Sequence, residues 1–446
     1  MKLAVIGAGS AEFSLKLVRD LCLTPNLSGS TIQLMDIDRA RLDAIDHLLE
    51  RYAEELGADL TVRSTTDRSV ALADADFVVN TALTAPNNRL FEGWRVAEAH
   101  GYRHGGSLHV MHDEAIWINY SQLCFFTSLV EDMLEMCPKA WLLQAANPVF
   151  AGVTLLGRRY PEAKVVGLCH GFHDVYAIAN VVGLGSDALT FEIPGVNHFV
   201  WLTRLLNQGI DVLPRLDAWI EEKARQHWAT CGPNDPLGPK QIDLYRRFGV
   251  FPIGDTGMWG GGSWGWTYHT DPETEARWNV DPARGWDMKF SGDQERIEFI
   301  RSLRNAKDVK ITSIVPPHPS GEVIVPMIEA IACDVPRVLV GNMPNLNDSV
   351  SGIPRDIAVE TPMLVDGEGV RPMATSLLPA PVIATALRDY VAPVNLELAA
   401  FEERSRSLLV ELVLTDPWTR SEDQARGLVE AILSLPHHAE MREHYH

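Results

Sequence analysis

Three short motifs place chemistry-bearing side chains just after apolar runs: Asn147-Pro148, Cys169-His170-Gly171-Phe172 and Gly195-Val196-Asn197-His198. A thiol and an imidazole, each expected at the end of a strand, suit a soft-to-borderline divalent metal. Cys169 and His198 are therefore candidate metal ligands. Taken singly, Cys169 also reads as a buried structural cysteine and His198 as a core or loop histidine; their joint position favours ligation. The Asn147 amide, with Asn197 beside His198, could reach a cofactor or a sugar hydroxyl, and Asn-Pro is also an ordinary turn. Asp255, in Phe251-Pro-Ile-Gly-Asp255, is a loop carboxylate that either caps a turn or acts as a base. Tyr245 and Tyr268 are rivals for that base.

A second constellation lies upstream, in Gly7-Ala-Gly9-Ser10-Ala. Two glycines after an apolar strand permit a tight turn and close approach of a pyrophosphate to backbone N–H groups at a helix N-terminus. Gly7, Gly9 and Ser10 are candidate cofactor contacts. Asp36 ends the next strand, where a carboxylate bonds both hydroxyls of an adenosine ribose and repels a 2′-phosphate, which favours NAD over NADP. Glu12 stands where the usual third glycine would be.

The elements that must position these groups follow from periodicity. Residues 2–7, 31–35, 60–63, 77–81, 141–145 and 164–168 read as strands, and 13–23, 39–56 and 114–136 as helices. Their alternation implies a Rossmann-like doubly wound parallel sheet with ligands at the strand C-termini. The pattern then changes. Residues 189–193, 199–206 and 210–213, with Asn207-Gln-Gly209 as a turn, read as antiparallel strands. Helices are expected over 221–228, 241–248, 322–333 and from 381 onward, and a strand over 337–341. Residues 259–286 are rich in Gly and Trp with little periodicity. The expected architecture is thus α/β, a Rossmann-like domain over 1–170 and a mixed α/β lobe over 171–446 for substrate and oligomerisation, as in lactate and malate dehydrogenases.

Composition narrows the function class. The chain has 446 residues and a net charge of −20, which argues against nucleic acid and anionic membranes as partners. The 6 cysteines show no framework spacing, and no apolar run is long enough to span a bilayer. A reduced, cytoplasmic enzyme acting on a small molecule is expected, as a homodimer or homotetramer.

Taken in order, these motifs resemble glycoside hydrolase family 4, the NAD- and manganese-dependent glycosidases. Ser320-Gly-Glu322, Asn342-Met-Pro-Asn345, Asp356-Ile-Ala-Val-Glu360 and Val365-Asp366 are similar to the family's C-terminal signatures. The family is an exception to hydrolysis by two carboxylates. The resemblance implies NAD and Mn2+ as cofactors and oxidation of the sugar at C3. Deprotonation at C2, elimination of the C1 oxygen, addition of water and return of the hydride follow. It implies metal binding by Cys169 and His198. Members acting on 6-phosphosugars tend to carry Asp or Asn after the metal cysteine. Cys169-His170-Gly171-Phe172 instead resembles the α-glucuronidase and α-galacturonidase type, with His170 assisting the leaving group. Arg89 is the first candidate to pair with a uronate carboxylate. α-Glucosidase or α-galactosidase activity, or a plain 2-hydroxy acid dehydrogenase, are the alternatives. Two segments depart from the family pattern: Gly257-Met-Trp259-Gly-Gly-Gly-Ser-Trp264-Gly-Trp266, whose tryptophans suit sugar stacking or packing, and residues 84–95.

Overall fold

The computed structural model of the chain describes residues 1–9, 11–186, 188–258, 264–305 and 309–446. Six strands open it: β1 (Lys2–Ile6), β2 (Ser30–Met35), β3 (Leu60–Thr65), β4 (Phe77–Asn80), β5 (Trp141–Gln144) and β6 (Lys164–Gly167). They run parallel in the order β3-β2-β1-β4-β5-β6. Side chains of β1 alternate between two cores. Leu3 and Val5 pack with Val18, Ile45 and Leu49 on one face, and Ala4 and Ile6 with Leu123, Phe126 and Val130 on the other. Burial on both faces is why such strands read as continuous apolar runs rather than as alternating ones. Helices Ala11–Cys22 and Arg39–Leu56 cover the first face. The second helix begins where the Asp38 carboxylate accepts from Arg41 N–H and ends at left-handed Gly57.

The remaining strands are β7 (Leu189–Glu192), β8 (Gly195–Val196), β9 (Phe199–Leu202), β10 (Arg204–Asn207), β11 (Ile210–Asp211), β12 (Phe251–Ile253), β13 (Arg337–Pro344), β14 (Ala358–Asp366) and β15 (Gly369–Pro372). β7, β10 and β11 form a small antiparallel sheet, and the expected turn appears with Gln208 and Gly209 both at positive φ. The others do not build a sheet of their own. They extend the first one, antiparallel, in the order β6-β13-β14-β8-β9-β12. The expected boundary at 170/171 therefore falls inside a continuous sheet.

That continuity fixes the site. One row of paired residues crosses ten strands: Met35, Ile6, Asn80, Gln144, Gly167, Asn342, Glu360, Gly195, Val200 and Ile253. Within a few residues of the row lie Asp36, Gly7, Asn147, Cys169, His198 and Asp255. A single register thus brings both constellations to one sheet edge.

Among the described residues, three helices of more than ten residues were not anticipated: Asn87–Ala99, Val149–Arg159 and Pro282–Asn305. The expected 221–228 helix is two, Leu213–Glu222 and Ala224–Trp228. Among the described residues, no helix is long and apolar enough to cross a membrane.

Candidate active site

The nucleotide turn is built as its glycines require. Gly7 has φ +85°, and a Cβ there would lie 2.5 Å from the Ala82 backbone, so only glycine fits. The N–H groups of Gly7 and Ala8 donate to Met35 O at 2.9 and 3.0 Å. This ties the turn to the end of β2. There the Asp36 carboxylate accepts from Gly9 N–H at 2.8 Å and from Asp38 N–H at 2.9 Å. A carboxylate held at the mouth of the turn fits a ribose diol. Ile37 beside it is 89% exposed, an apolar surface that suits an adenine ring and that pattern reading passed over. Ser10 lies outside the described residues, as do residues 259–263 of the Gly/Trp segment.

A cavity of about 700 Å³ runs from Lys16 past Asn147, Cys169 and His170 to His198 and Asp255. His198 is one of the two residues that join β8 to β9, and it sits at φ 64°. A non-glycine residue in this region is uncommon and, at a cavity wall, points to function. Its Nδ1 lies 2.8 Å from Glu114 Oε1 and its Nε2 3.4 Å from Asp255 Oδ2. Burial alone would push the His198 pKa down; the carboxylates of Asp255 and Glu114 outweigh it and hold the imidazole well above its usual value, with the Cys169 side chain also bonded to it. Asp255 reaches His198 because β12 pairs with β9, Ile253 opposite Val200, and Thr256 Oγ1 bonds both Val200 N–H (2.8 Å) and Val200 O (3.0 Å).

His112 completes the group. Its ligand atom lies within 4.8 Å of those of His198 and Asp255. Its Nδ1 faces Asp113 Oδ1 at 2.9 Å, and its buried Nε2 has no hydrogen-bond partner among the described residues. Two imidazoles and a carboxylate, with the Cys169 thiol against His198, fit a divalent ion. Glu114, 2.8 Å behind Nδ1, stands where an outer carboxylate would fix the tautomer of a metal-binding histidine.

Asp174 lines the same cavity and accepts from Gly254 N–H at 2.8 Å. Burial pushes its carboxyl up to about 7, with the charge of Asp255 adding to this and the Gly254 N–H opposing it. Glu360 also lines the cavity. Its Oε2 accepts from Asn197 at 2.9 Å and from Asn342 at 3.0 Å, while Oε1 has no partner among the described residues. Burial raises this carboxyl too, against those two amide donors. The opposite wall is the Pro282–Asn305 helix, which contributes Trp286, Lys289, Asp293 and Arg296. Lys289 Nζ lies 2.6 Å from Asp113 Oδ2, and Arg296 pairs with Asp293.

The structure thus gathers Asn147, Cys169, His170, His198 and Asp255 in one cavity. Four expected residues are elsewhere. Asn197 is fully buried and does not line the cavity; its Nδ2 donates to the Glu360 carboxylate that does. Tyr268 is 0% exposed; its hydroxyl donates to Asp243 at 2.6 Å and it packs against Trp264 and Trp278. Burial raises its pKa, as does the Asp243 bond, which is the wrong direction for a base. Tyr245 likewise donates to Asp217, at 2.8 Å. Arg89 is half-buried at the start of the Asn87–Ala99 helix and does not line the cavity.

Comparison with known proteins identifies the family. The family model described as family 4 glycosyl hydrolase matches residues 2–183, and that of the family 4 glycosyl hydrolase C-terminal domain matches residues 193–419. An α-galacturonidase of Lachnoclostridium phytofermentans is 25% identical, over 97% of this chain and 95% of the relative. An α-galactosidase of Bacillus subtilis is 23% identical, over 96% and 95%. A 6-phospho-α-glucosidase from gut microorganisms, solved in complex with NAD and Mn2+, superposes with a TM-score of 0.78 at 18% identity, covering 97% of each chain.

Proposed function

The chain belongs to family 4 of the glycosyl hydrolases, and from that premise we propose that it is an NAD- and manganese-dependent α-glycosidase acting on a uronic acid glycoside. The observation that carries this reading is the shared sheet edge: the nucleotide turn at Gly7 and Asp36 and the His198–Asp255 pair lie by the same row of the sheet, with His112 brought beside that pair. When bound, NAD would supply reversible hydride acceptance and the divalent ion Lewis acidity toward an oxyanion at C2–C3. Gly7, Gly9 and Asp36 would hold the nucleotide. His198, His112, Asp255 and Cys169 would hold the ion, with Glu114 orienting His198.

In this reading the chain's own groups bind, orient and move protons. Asp255 sits with the ligand group, which makes ion binding compete with its service as the C2 base. His170 and Asp174 flank the region after the metal cysteine, and Asp174 retains a proton near neutrality. Either could protonate a departing glycosidic oxygen. The anion partner for a uronate moves from Arg89 to the cavity helix, where Arg296 and Lys289 stand. A neutral α-hexoside is the second reading, favoured by the α-galactosidase relative.

The test is a panel of p-nitrophenyl α-glycosides and α-uronides, assayed with NAD, Mn2+ and a thiol reductant. Uronides should be cleaved fastest, with no net NADH. Equal rates on neutral hexosides would remove the uronide assignment. NADH accumulating in step with turnover would indicate a dehydrogenase instead.

A further inference from the structure

Away from the cavity, His227, Cys231 and Asp235 offer a nitrogen, a sulfur and an oxygen all within 4.8 Å of one another. None of the three lines the cavity. From this geometry we propose a second metal site, for zinc or a similarly thiophilic divalent ion, that clamps the 229–238 loop to the start of the helix forming the cavity wall.

The local fold builds the triad. His227 ends the Ala224–Trp228 helix, and Cys231 N–H donates to His227 O at 3.0 Å. That continuation of the turn stacks residues four apart on one face. The chain then folds back. Trp228 Nε1 donates to Leu237 O at 2.9 Å, and Leu237 N–H donates to Asp235 Oδ1 at 2.8 Å. The Asp235 carboxylate thereby meets His227 Nε2 at 3.0 Å. Burial and the charge of Asp235 raise the Cys231 thiol pKa; Asn279 Nδ2, donating to Cys231 Sγ at 3.3 Å, opposes them. Zinc bonds of about 2.0–2.3 Å place tetrahedral ligand atoms ~3.5 Å apart, so small rotamer changes close the triad on an ion. All three side chains are half-buried, leaving the fourth position to water. Binding displaces one proton, from Cys231, and a nitrogen, sulfur and oxygen donor set binds Zn2+ more tightly than Mn2+.

The second half of the proposal follows from what the loop is tied to. Asn234 N–H reaches Asn279 O at 3.4 Å, and Asn234 Nδ2 donates to Asp281 O at 3.0 Å. Residue 282 begins the helix that carries Trp286, Lys289, Asp293 and Arg296 to the cavity. An ion at the triad would stiffen both the loop and that helix start.

The full chain tests this with substitutions that lie outside the cavity. Protein stripped by chelation and resupplied with Mn2+ is pulsed with iodoacetamide, with and without Zn2+, and alkylation is read cysteine by cysteine by peptide mass spectrometry. Zn2+ should slow alkylation of Cys231 by about tenfold or more, Mn2+ alone should not, and His227→Ala and Asp235→Ala should each abolish the protection. Equal Cys231 rates with and without Zn2+, or protection that survives both substitutions, would overturn the site. Amide exchange at the start of the Pro282–Asn305 helix should slow with Zn2+ in the native chain and not in His227→Ala; exchange that is unchanged, or that slows equally in both, would overturn the clamp while the thiol readout decides the site.

Discussion

Asp174 is the side chain whose role the cavity states most sharply. It is a half-buried carboxyl with a raised pKa, on the wall that also carries His170. If it protonates the leaving oxygen, Asp174→Asn should cost about 10²-fold or more in kcat on methyl glycosides. On p-nitrophenyl glycosides, whose leaving group departs unaided, the loss should be small. An equal loss on both aglycones would make Asp174 a structural residue, and the aglycone dependence would then be sought in His170→Ala. The substrate anion has its own test. Arg296→Ala should weaken uronides by about tenfold to a hundredfold, the usual worth of a charged hydrogen bond, and spare matching neutral hexosides; parallel losses would sink the pairing. Cys169, His198, Asp255, Gly7 and Asp36 were readable because each follows an apolar run that ends abruptly. His112 and Glu114 were not, since they precede a helix in a stretch with no strand pattern. Lys289, Asp293 and Arg296 do follow helical spacing, four and three apart. Exposed Met288, Ile297 and Phe299 on the same helix blur the apolar stripe that would have announced it.

At the scale of elements, the short Gly265–Tyr268 helix is held by an unusual buried pair. Lys240, 0% exposed on the Pro239–Phe248 helix, places Nζ 3.1 Å from His269 Nε2, and His269 Nδ1 lies 3.2 Å from Glu275 Oε1. Burial pushes Lys240 down to about 7, against the pull of Glu275. Burial likewise raises Glu275 to about 7, against Arg103. The signs are opposite in their windows. Lys240 contributes stability that is present above pH 10.5 and lost as pH falls to about 7. Glu275 contributes stability that is present below pH 4.5 and lost as pH rises to about 7. The group therefore stabilises least near neutrality. Unfolding free energies from urea titration should climb on the alkaline side by at most about 1.4 kcal/mol per pH unit. Lys240→Met should flatten that climb; parallel curves for the two proteins would show that Lys240 is not its source. Strand reading succeeded in β1, β2 and β4 for want of any interruption. It failed in β14, whose Thr361-Pro362 breaks the pattern, since proline lacks the N–H that a central strand uses. The Asn87–Ala99 helix was hidden by Gly93, a poor helix former. The structure requires glycine there because a Cβ would meet the Trp117 ring at 2.2 Å.

For the whole molecule, the register that assembles the site also decides how the protein unfolds. Two lobes joined at residue 170 would have separate cores and two transitions. Instead, each core on the main sheet draws from both halves: Leu3, Val79, Val340 and Met363 share one, and Ile6, Leu142, Phe199 and Val359 the other. The Val149–Arg159 helix reaches across the join, packing on β6, β13 and β14. Its Gly157 leaves room for Pro344, whose Cγ would lie 2.6 Å from a Cβ there. Sequence periodicity could not show this, because β13 follows β6 by some 170 residues and nothing local marks one as the neighbour of the other. Cooperative units follow shared burial rather than chain order. Far-UV circular dichroism and tryptophan fluorescence should therefore report one coincident urea transition for the sheet. A fragment of residues 1–183 should lack a cooperative transition, because it exposes the β6 edge and the apolar face of the 149–159 helix. A fragment that unfolds cooperatively at the midpoint of the full chain would mean that the nucleotide half is an independent domain after all. The catalytic edge would then be assembled by docking rather than by folding.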